Sequence, residues 1–269
     1  DGDTVPGVGG GSASLCSRDI RLLCMDEQKT VWRNDRGSGR IFSADLRTGD
    51  LERSRSGRIE PEKVKRMKGR YFRLELYLIR HWKTKGNLEK RYIGTTDEPI
   101  LSGSERDLWE KRLHRILPDV SCVAVSPMKR CRESAELLFP GKKQEVCDAF
   151  RECDFGQFEN RNYEELKNRP EYQRWIDSGG MEAFPGGESR ERFAGRCVEG
   201  FVQKVTELQE RKIERAAFVV HGGTIMAILE WLDHKQRPFY QWQAENGDAF
   251  YVRTEREILR GTCKEIRKL

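Results

Sequence analysis

Residues 73–80, RLELYLIR, are an apolar run of strand length that stops directly before His81. Leucine occupies every second position from 74 to 78, and Tyr77 and Ile79 fall on the alternate positions. An alternating run of this length predicts a buried β-strand. Arg80 and His81 then lie at its carboxyl end, where a guanidinium that extends a buried strand needs an anionic partner.

Strand and helix patterns alternate along the rest of this part of the chain. We expect strands at residues 121–126, 216–221 and 250–252, and helices at residues 105–117, 127–139, 187–212 and 224–232. The first helix is predicted from apolar residues at helical spacing, which are Leu108, Trp109, Leu113, Ile116 and Leu117. This alternation predicts an α/β fold, a three-layer α/β/α sandwich with a mainly parallel central sheet.

The N-terminal quarter of the chain has a different character. Residues 1–70 begin with a Gly/Ser-rich stretch, Gly7 to Ser14, and continue through Arg-rich polar sequence with little apolar periodicity. The GVGGGSAS run lacks the GK[ST] ending of a phosphate-binding loop, which favours a linker. We therefore expect an extension of unknown role at 1–70 and one domain at 71–269, with Met67 as a natural start.

Composition narrows the classes of function. The net charge is +6, but positive and negative residues alternate throughout, so no basic strip for nucleic acid is expected. The eight cysteines contain no CxxC pair and no metal-site spacing, which favours reduced, scattered thiols. No segment has the roughly 18 apolar residues of a membrane span, and no signal peptide is evident. We expect a cytoplasmic protein that binds neither nucleic acid nor membrane.

Two of the four histidines end predicted buried strands. His81 follows Arg80, and His221 precedes Gly222 and Gly223. Ligands of α/β sheets bind beyond the carboxyl ends of the strands, so both positions are candidate site residues. His114 and His234 fall in helical stretches, where a structural role is favoured.

The residue types at the end of the first strand suit phosphate chemistry. Arg80 supplies a fixed positive charge that neutralises a phosphate, and His81 supplies an imidazole, which accepts phosphoryl groups at neutral pH. The two together indicate a site for a phosphorylated small molecule.

Six segments, in order, resemble the motifs of the histidine phosphatase, or phosphoglycerate mutase-like, superfamily. LIRHWKTKGN is similar to RHGxTxxN and keeps four of its five specified residues, which are Arg80, His81, Thr84 and Asn87. The other five are RYIGTTDEP (91–99), SPMKRCRESAELL (126–138), FRECDFGQFE (150–159), FPGGES (184–189) and VVHGGT (219–224). The resemblance covers about residues 71–255 and implies the phosphoglycerate mutase-like fold.

The resemblance also implies roles for particular residues. His81 is the nucleophile that becomes phosphohistidine, Glu152 is the general acid, and Arg80, Arg130 and His221 line the phosphate pocket. Two groups of residues have supporting roles: Thr84 and Asn87 hydrogen-bond the phosphoryl oxygens or cap local turns, and Gly222 and Gly223 let the backbone approach the phosphate. The mechanism requires no metal and no cofactor.

The sequence departs from the family pattern at one position beside the nucleophile. Trp82 stands where RHG has glycine, so the indole has to point away from the pocket, reshape it or block it.

Within the superfamily, this chain is most similar to the α-ribazole phosphatase-like group, which acts in the nucleotide-loop branch of cobalamin biosynthesis. The similarity lies in KTxGNxxxRYxGxTDEP together with PGGES. Three hypotheses follow: an α-ribazole 5′-phosphate phosphatase, a broad-specificity phosphatase or phosphoglycerate mutase-like enzyme, and a pseudoenzyme that binds a phosphorylated ligand. The oligomeric state is not predicted.

Overall fold

The structure is a computed structural model that describes residues 73–233, 235, 237, 239–254, 261 and 263–269. The predicted extension at residues 1–70, the possible start at Met67 and the predicted helical position of His234 lie outside the described residues. The two-part division of the chain therefore remains a prediction.

A six-stranded sheet forms the centre of the described domain. Its strands are β1 (Leu74–Arg80), β2 (Cys122–Val125), β3 (Gln144–Val146), β4 (Arg215–Val220), β5 (Ala249–Thr254) and β6 (Glu265–Lys268). They are ordered β3-β2-β4-β1-β5-β6. The first four in this order are parallel, whereas β5 is antiparallel to β1 and β6 to β5. The predicted mainly parallel sheet is confirmed.

Helices cover both faces of this sheet. They are α1 (Lys85–Leu88), α2 (Ser104–Ile116), α3 (Lys129–Leu138), α4 (Tyr163–Leu166), α5 (Pro170–Asp177), α6 (Arg190–Glu210) and α7 (Gly222–Leu232), with short 3₁₀ turns at Asp148–Phe150, Gly156–Phe158 and Phe239–Trp242. Leu76 and Leu78 of β1 share a core with α6 and α7. Tyr77 and Ile79 face the opposite side, in a core with α2 and α3. The alternation read from the sequence thus produces the predicted three layers.

The apolar residues at helical spacing in α2 are not all buried. Trp109 and Leu113 are buried, but Leu108 is 67% exposed and Ile116 is 41% exposed. The helix therefore contacts the sheet along a narrow stripe. Trp109 fixes that stripe by donating from its indole N–H to the carbonyl oxygen of Gly247 at 2.9 Å.

The sheet brings the two strand-end histidines together. β1 and β4 are parallel neighbours, with Arg80 in register with Val220. His81 and His221 follow these two residues, so both leave the sheet at the same edge. Ser126 follows β2, the next strand, at that edge as well. Within the described residues, no helix is long and apolar enough to cross a membrane.

Candidate active site

His81 is buried beside His221, with 5.2 Å between the ring centroids. Its Nδ1 lies 2.6 Å from the carbonyl oxygen of Trp82, which can only accept, so Nδ1 carries the proton. Burial, together with the positive charges of Arg130 and Arg80, holds the pKa of His81 well below its usual range. The ring is therefore neutral, and its unprotonated Nε2 has the lone pair of a nucleophile.

His221 is fully buried and uses both of its ring nitrogens within the protein. Arg130 Nε donates to Nδ1 at 3.3 Å, so the proton resides on Nε2, which lies 2.7 Å from Ser126 Oγ. Burial, followed by the charge of Arg130, holds the pKa of His221 well below its usual range. The ring is thus a neutral link between the hydroxyl at the end of β2 and the guanidinium of α3.

Arg130 is completely buried at the start of α3. Besides His221, its guanidinium donates to the carbonyl oxygens of Thr96 at 2.8 Å, Gly94 at 2.9 Å and Ile93 at 3.4 Å. Within the described part of the chain, Nη1 has only Thr96 as partner, so one of its two N–H donors is left for an incoming oxygen. The loop at residues 93–96 and His221 together aim this charge at the site.

Arg80 is the second cation of the site. Its Nη1 donates to the carbonyl oxygen of Ala244 at 2.5 Å, but its buried Nε has no hydrogen-bond partner among the described residues. Burial lowers the pKa of Arg80, against the opposing charge of Glu152. Gly222 lies against the guanidinium, where an added Cβ would be 3.3 Å from Cζ. A buried donor without an acceptor is costly, and a phosphoryl oxygen would satisfy it.

Glu152 is held at the amino end of α7. Its carboxylate accepts from the backbone N–H of Gly223 at 3.2 Å and of Cys153 at 3.0 Å. Burial raises the pKa of Glu152, although these hydrogen bonds and the nearby charges of Arg130 and Arg80 oppose the shift. A side chain on Gly223 would overlap the carboxylate, so glycine is needed there. A carboxyl group with a raised pKa is suited to general acid catalysis.

Thr84 and Asn87 form a capping box at the start of α1. Thr84 Oγ1 accepts from the backbone N–H of Asn87 at 3.3 Å, and Asn87 Oδ1 accepts from that of Thr84 at 3.1 Å. Asn246 links this box to His81 by donating to Asn87 Oδ1 at 3.0 Å and to the carbonyl oxygen of His81 at 3.3 Å. The turn-capping alternative describes the contacts seen, and phosphate contact by these two residues stays a prediction.

Trp82 directs its indole away from these groups. The ring is buried, stacks on Trp109 and contacts Gly247. Its backbone N–H donates to Ser134 Oγ at 2.9 Å, and the Ser134 hydroxyl donates to the carbonyl oxygen of Arg130 at 2.7 Å. Among the described residues, the aromatic and cation–π contacts of the Trp82 ring are with Trp109 and Lys83, and none is with His221 or Arg130. The sequence left three ways to accommodate an indole at this position, and in the structure it points away from the pocket.

Residues 76–259 match the family model of the histidine phosphatase superfamily, branch 1. This chain belongs to the histidine phosphatase superfamily. Its sequence is 27% identical over 175 residues to a broad-specificity phosphatase of Saccharomyces cerevisiae, covering 60% of this chain and 71% of the yeast protein.

Solved structures agree with this membership in the histidine phosphatases. A phosphoglycerate mutase from Thermus thermophilus is 30% identical with a TM-score of 0.50, covering 66% of this chain and 92% of that one. The α-ribazole phosphatase from Shigella flexneri is 21% identical with a TM-score of 0.58. The match covers 66% of this chain and 90% of the Shigella chain. The second likeness shows the shared fold.

The sequence alone did not reveal every residue of this histidine phosphatase site. The predicted residues Arg80, His81, Arg130, Glu152, His221 and Gly222 come together as expected, whereas His114 contacts the carbonyl oxygens of Leu137 and Leu138 on the neighbouring helix. Ser126 was visible only as the first residue of the SPMKRC segment, and its contact with His221 was not foreseen. Asn246 lies in no recognised motif, and the sequence carries no signal for its contact with His81.

Proposed function

We propose that this chain is a phosphomonoester hydrolase that works through a phosphohistidine at His81. The observation that carries the proposal is the fixed tautomer of this ring. Nδ1–H is held by the carbonyl of Trp82, so Nε2 is the nitrogen that presents a lone pair. Arginine donors and a carboxyl group of raised pKa surround it.

In the first step, Nε2 of His81 attacks phosphorus and the bond from phosphorus to the ester oxygen breaks. Glu152, in its protonated form, transfers its proton to the departing alkoxide, which leaves as an alcohol. Arg80 Nε and the remaining Nη1 donor of Arg130 bind the equatorial oxygens, where negative charge accumulates. The phosphoryl group is then held on His81 and Glu152 is ionised.

In the second step, a water molecule attacks the phosphohistidine. The Glu152 carboxylate removes a proton from this water, a bond from oxygen to phosphorus forms and the bond from phosphorus to Nε2 breaks. The products are inorganic phosphate, neutral His81 and a protonated Glu152, so each group returns to its starting state. His221 supports both steps by orienting Arg130, and its predicted place in the lining of the phosphate pocket is part of the proposal.

We further propose α-ribazole 5′-phosphate as the substrate, in the cytoplasmic assembly of the cobalamin nucleotide loop. The support is the combination of KTKGNLEKRYIGTTDEP (83–99) with PGGES (185–189), which resembles the α-ribazole phosphatase-like group. A broad-specificity phosphatase is the second candidate, since the yeast relative carries that name. The stacking of the Trp82 indole on Trp109, within the core, argues against the third hypothesis, a pseudoenzyme that binds a phosphorylated ligand.

Phosphate release from a panel of esters tests both levels of the proposal. The panel contains α-ribazole 5′-phosphate, p-nitrophenyl phosphate, several sugar phosphates and 3-phosphoglycerate, with His81→Ala as the control. We expect kcat/KM to be highest for α-ribazole 5′-phosphate and release to be lost in the variant. Similar values across the panel would favour the broad-specificity enzyme, and transfer between carbons of phosphoglycerate would favour a mutase. No release from any ester would contradict the hydrolase.

A further inference from the structure

Arg196 of α6 binds the main chain at Glu152 and just before it. Its Nη1 donates to the carbonyl oxygens of Ala149 at 2.9 Å and Arg151 at 3.1 Å, and Nη2 makes a longer contact of 3.5 Å to that of Glu152. Nε and Nη2 bind the two carboxylate oxygens of Glu188 at 3.1 and 2.7 Å. These contacts use all five donors of the guanidinium, which is the geometry of a rigid anchor.

Glu188 connects this anchor to the segment that follows Glu152. Its Oε2 accepts from the backbone N–H of Asp154 at 3.1 Å, and its own N–H donates to the carbonyl oxygen of Asp154 at 2.9 Å. Gly187 lies so close to Asp154 that a Cβ would overlap that carbonyl oxygen. The PGGES turn is therefore packed directly on the loop that carries the acid, and Arg196 joins the two.

The carboxylate of Glu152 is held separately from its main chain. Its oxygens accept from Gly223 at the start of α7 and from Cys153, as described above. Phe193, one turn before Arg196 on α6, packs against Gly223. The position of the acid thus depends on two anchors, one for the backbone and one for the carboxylate.

We infer that Arg196, clamped by Glu188, is a positioning residue that sets the reach of Glu152 toward the leaving group. The inference rests on the proposed role of Glu152 and deepens it. Arg196 acts through the backbone at residues 149–152 and does not itself touch the substrate. A displacement of a catalytic group by about 1 Å costs about 10²-fold in rate, so loosening this anchor affects the step that needs the proton.

The choice of ester separates this role from a merely structural one. An alkyl phosphate releases a basic alkoxide that needs the proton of Glu152, whereas p-nitrophenyl phosphate releases a stable phenolate that does not. A loss of folded protein or of phosphate binding lowers kcat/KM for both esters equally. Misplacement of the acid lowers it selectively for the alkyl ester.

The experiment measures kcat/KM for propyl phosphate and p-nitrophenyl phosphate with Arg196→Met, Arg196→Lys and Glu188→Gln. For Arg196→Met we expect a loss of about 10²-fold on propyl phosphate and less than about threefold on p-nitrophenyl phosphate. Arg196→Lys keeps the charge without the planar fork, so we expect a smaller loss with the same selectivity. Glu188→Gln, which keeps a hydrogen-bonding side chain, covers the case in which Arg196→Met does not fold, and it should show the same selectivity.

Two further variants identify what fails. Arg211 lies just beyond the other end of α6, and Arg211→Met removes its ion pairs with Glu145 and Glu207. This variant should leave kcat/KM unchanged for both esters. Glu152→Gln should lower kcat/KM selectively for the alkyl ester. If Glu152→Gln is not selective, the proposed general acid is wrong. Suppose that Glu152→Gln shows the selective loss. If Arg196→Met and Glu188→Gln then lower kcat/KM equally for both esters, or lower it for neither ester, the inference about Arg196 is overturned.

Discussion

Trp82 and Trp109 stack with their ring centroids 5.0 Å apart and their planes inclined by 22°. This contact explains how the chain accommodates a large residue beside His81. The indole belongs to the core between the sheet and α2, while only the carbonyl group of Trp82 serves His81. The side chain and the main chain of this residue therefore have separate roles.

Replacement of Trp82 by glycine should lower stability without increasing activity. Loss of a buried large aromatic side chain costs about 3–5 kcal/mol, because the stack on Trp109 is lost and a cavity remains. Urea unfolding of Trp82→Gly measures the change. Trp82→Phe, which keeps part of the ring contact, should lose less. A glycine variant with native stability and higher kcat would show that the indole obstructs the pocket.

Ser126→Ala should reduce catalysis through His221. The substitution removes the oxygen acceptor of the buried Nε2–H and leaves only the weak acceptor Cys131 Sγ at 3.5 Å, and a poorly satisfied buried donor costs up to about 1–3 kcal/mol. We expect kcat/KM to fall by about one order of magnitude, since the ring no longer orients Arg130. Ser121→Ala, at the exposed opposite end of β2, is the matched control and should have no effect. Equal activity of the two variants would exclude a role for the Ser126 hydroxyl.

The two site histidines should make the fold sensitive to mild acid. Both have pKa values well below 6.5 in the folded state, mainly through burial, whereas the unfolded chain takes up these protons near 6.5. The free energy of unfolding should thus be undiminished above about pH 6.5 and fall as the pH decreases below it, by up to about 1.36 kcal/mol per pH unit for each histidine. Urea unfolding between about pH 7 and 5 measures the slope.

A variant of one histidine tests the origin of that slope. His221→Gln should reduce the pH dependence by about half, because one of the two proton-binding groups of the unfolded state is removed. An unaltered slope in His221→Gln would contradict the assignment.

The raised pKa of Glu152 should appear in the pH profile for alkyl esters. Catalysis requires the protonated acid, so kcat/KM for propyl phosphate should decrease as the pH rises through the pKa of Glu152, which burial places above its usual value. Glu152→Gln should abolish this decrease along with most of the activity. Persistence of the same alkaline limb in the variant would assign it to another group.

The central part of the fold could be predicted because its strands are buried on both faces. β1, β2 and β4 are rich in apolar residues, with polar ones only at Glu75, Arg80 and Arg215, and their burial follows from this composition. β3 and β6 were missed, since both are short edge strands with a single apolar residue each, in QEV and EIRK. The antiparallel direction of β5 was equally invisible, because orientation depends on the path of the chain.

The site likewise contains residues that the sequence predicts and residues that only the tertiary structure reveals. His81 and His221 were predicted from their position after buried strands, and the neighbouring, parallel arrangement of β1 and β4 confirms that they meet. The backbone carbonyls that Arg196 binds near Glu152 lie 44 or more positions away in the sequence, and Ser126 lies 95 positions from His221, so no local pattern indicates these contacts. The direction of the Trp82 ring depends on Trp109 and Gly247 and is likewise a property of the tertiary structure.

Trapping of the phosphoenzyme addresses the nucleophile itself. The protein is mixed with a ³²P-labelled ester, quenched in alkali, which preserves phosphohistidine, and digested for mass spectrometry, with His81→Ala in parallel. We predict label on the peptide that contains His81, loss of that label on exposure to acid, and no label in the variant. Phosphate release that proceeds at the native rate in His81→Ala, or label on a residue other than His81, would contradict the mechanism.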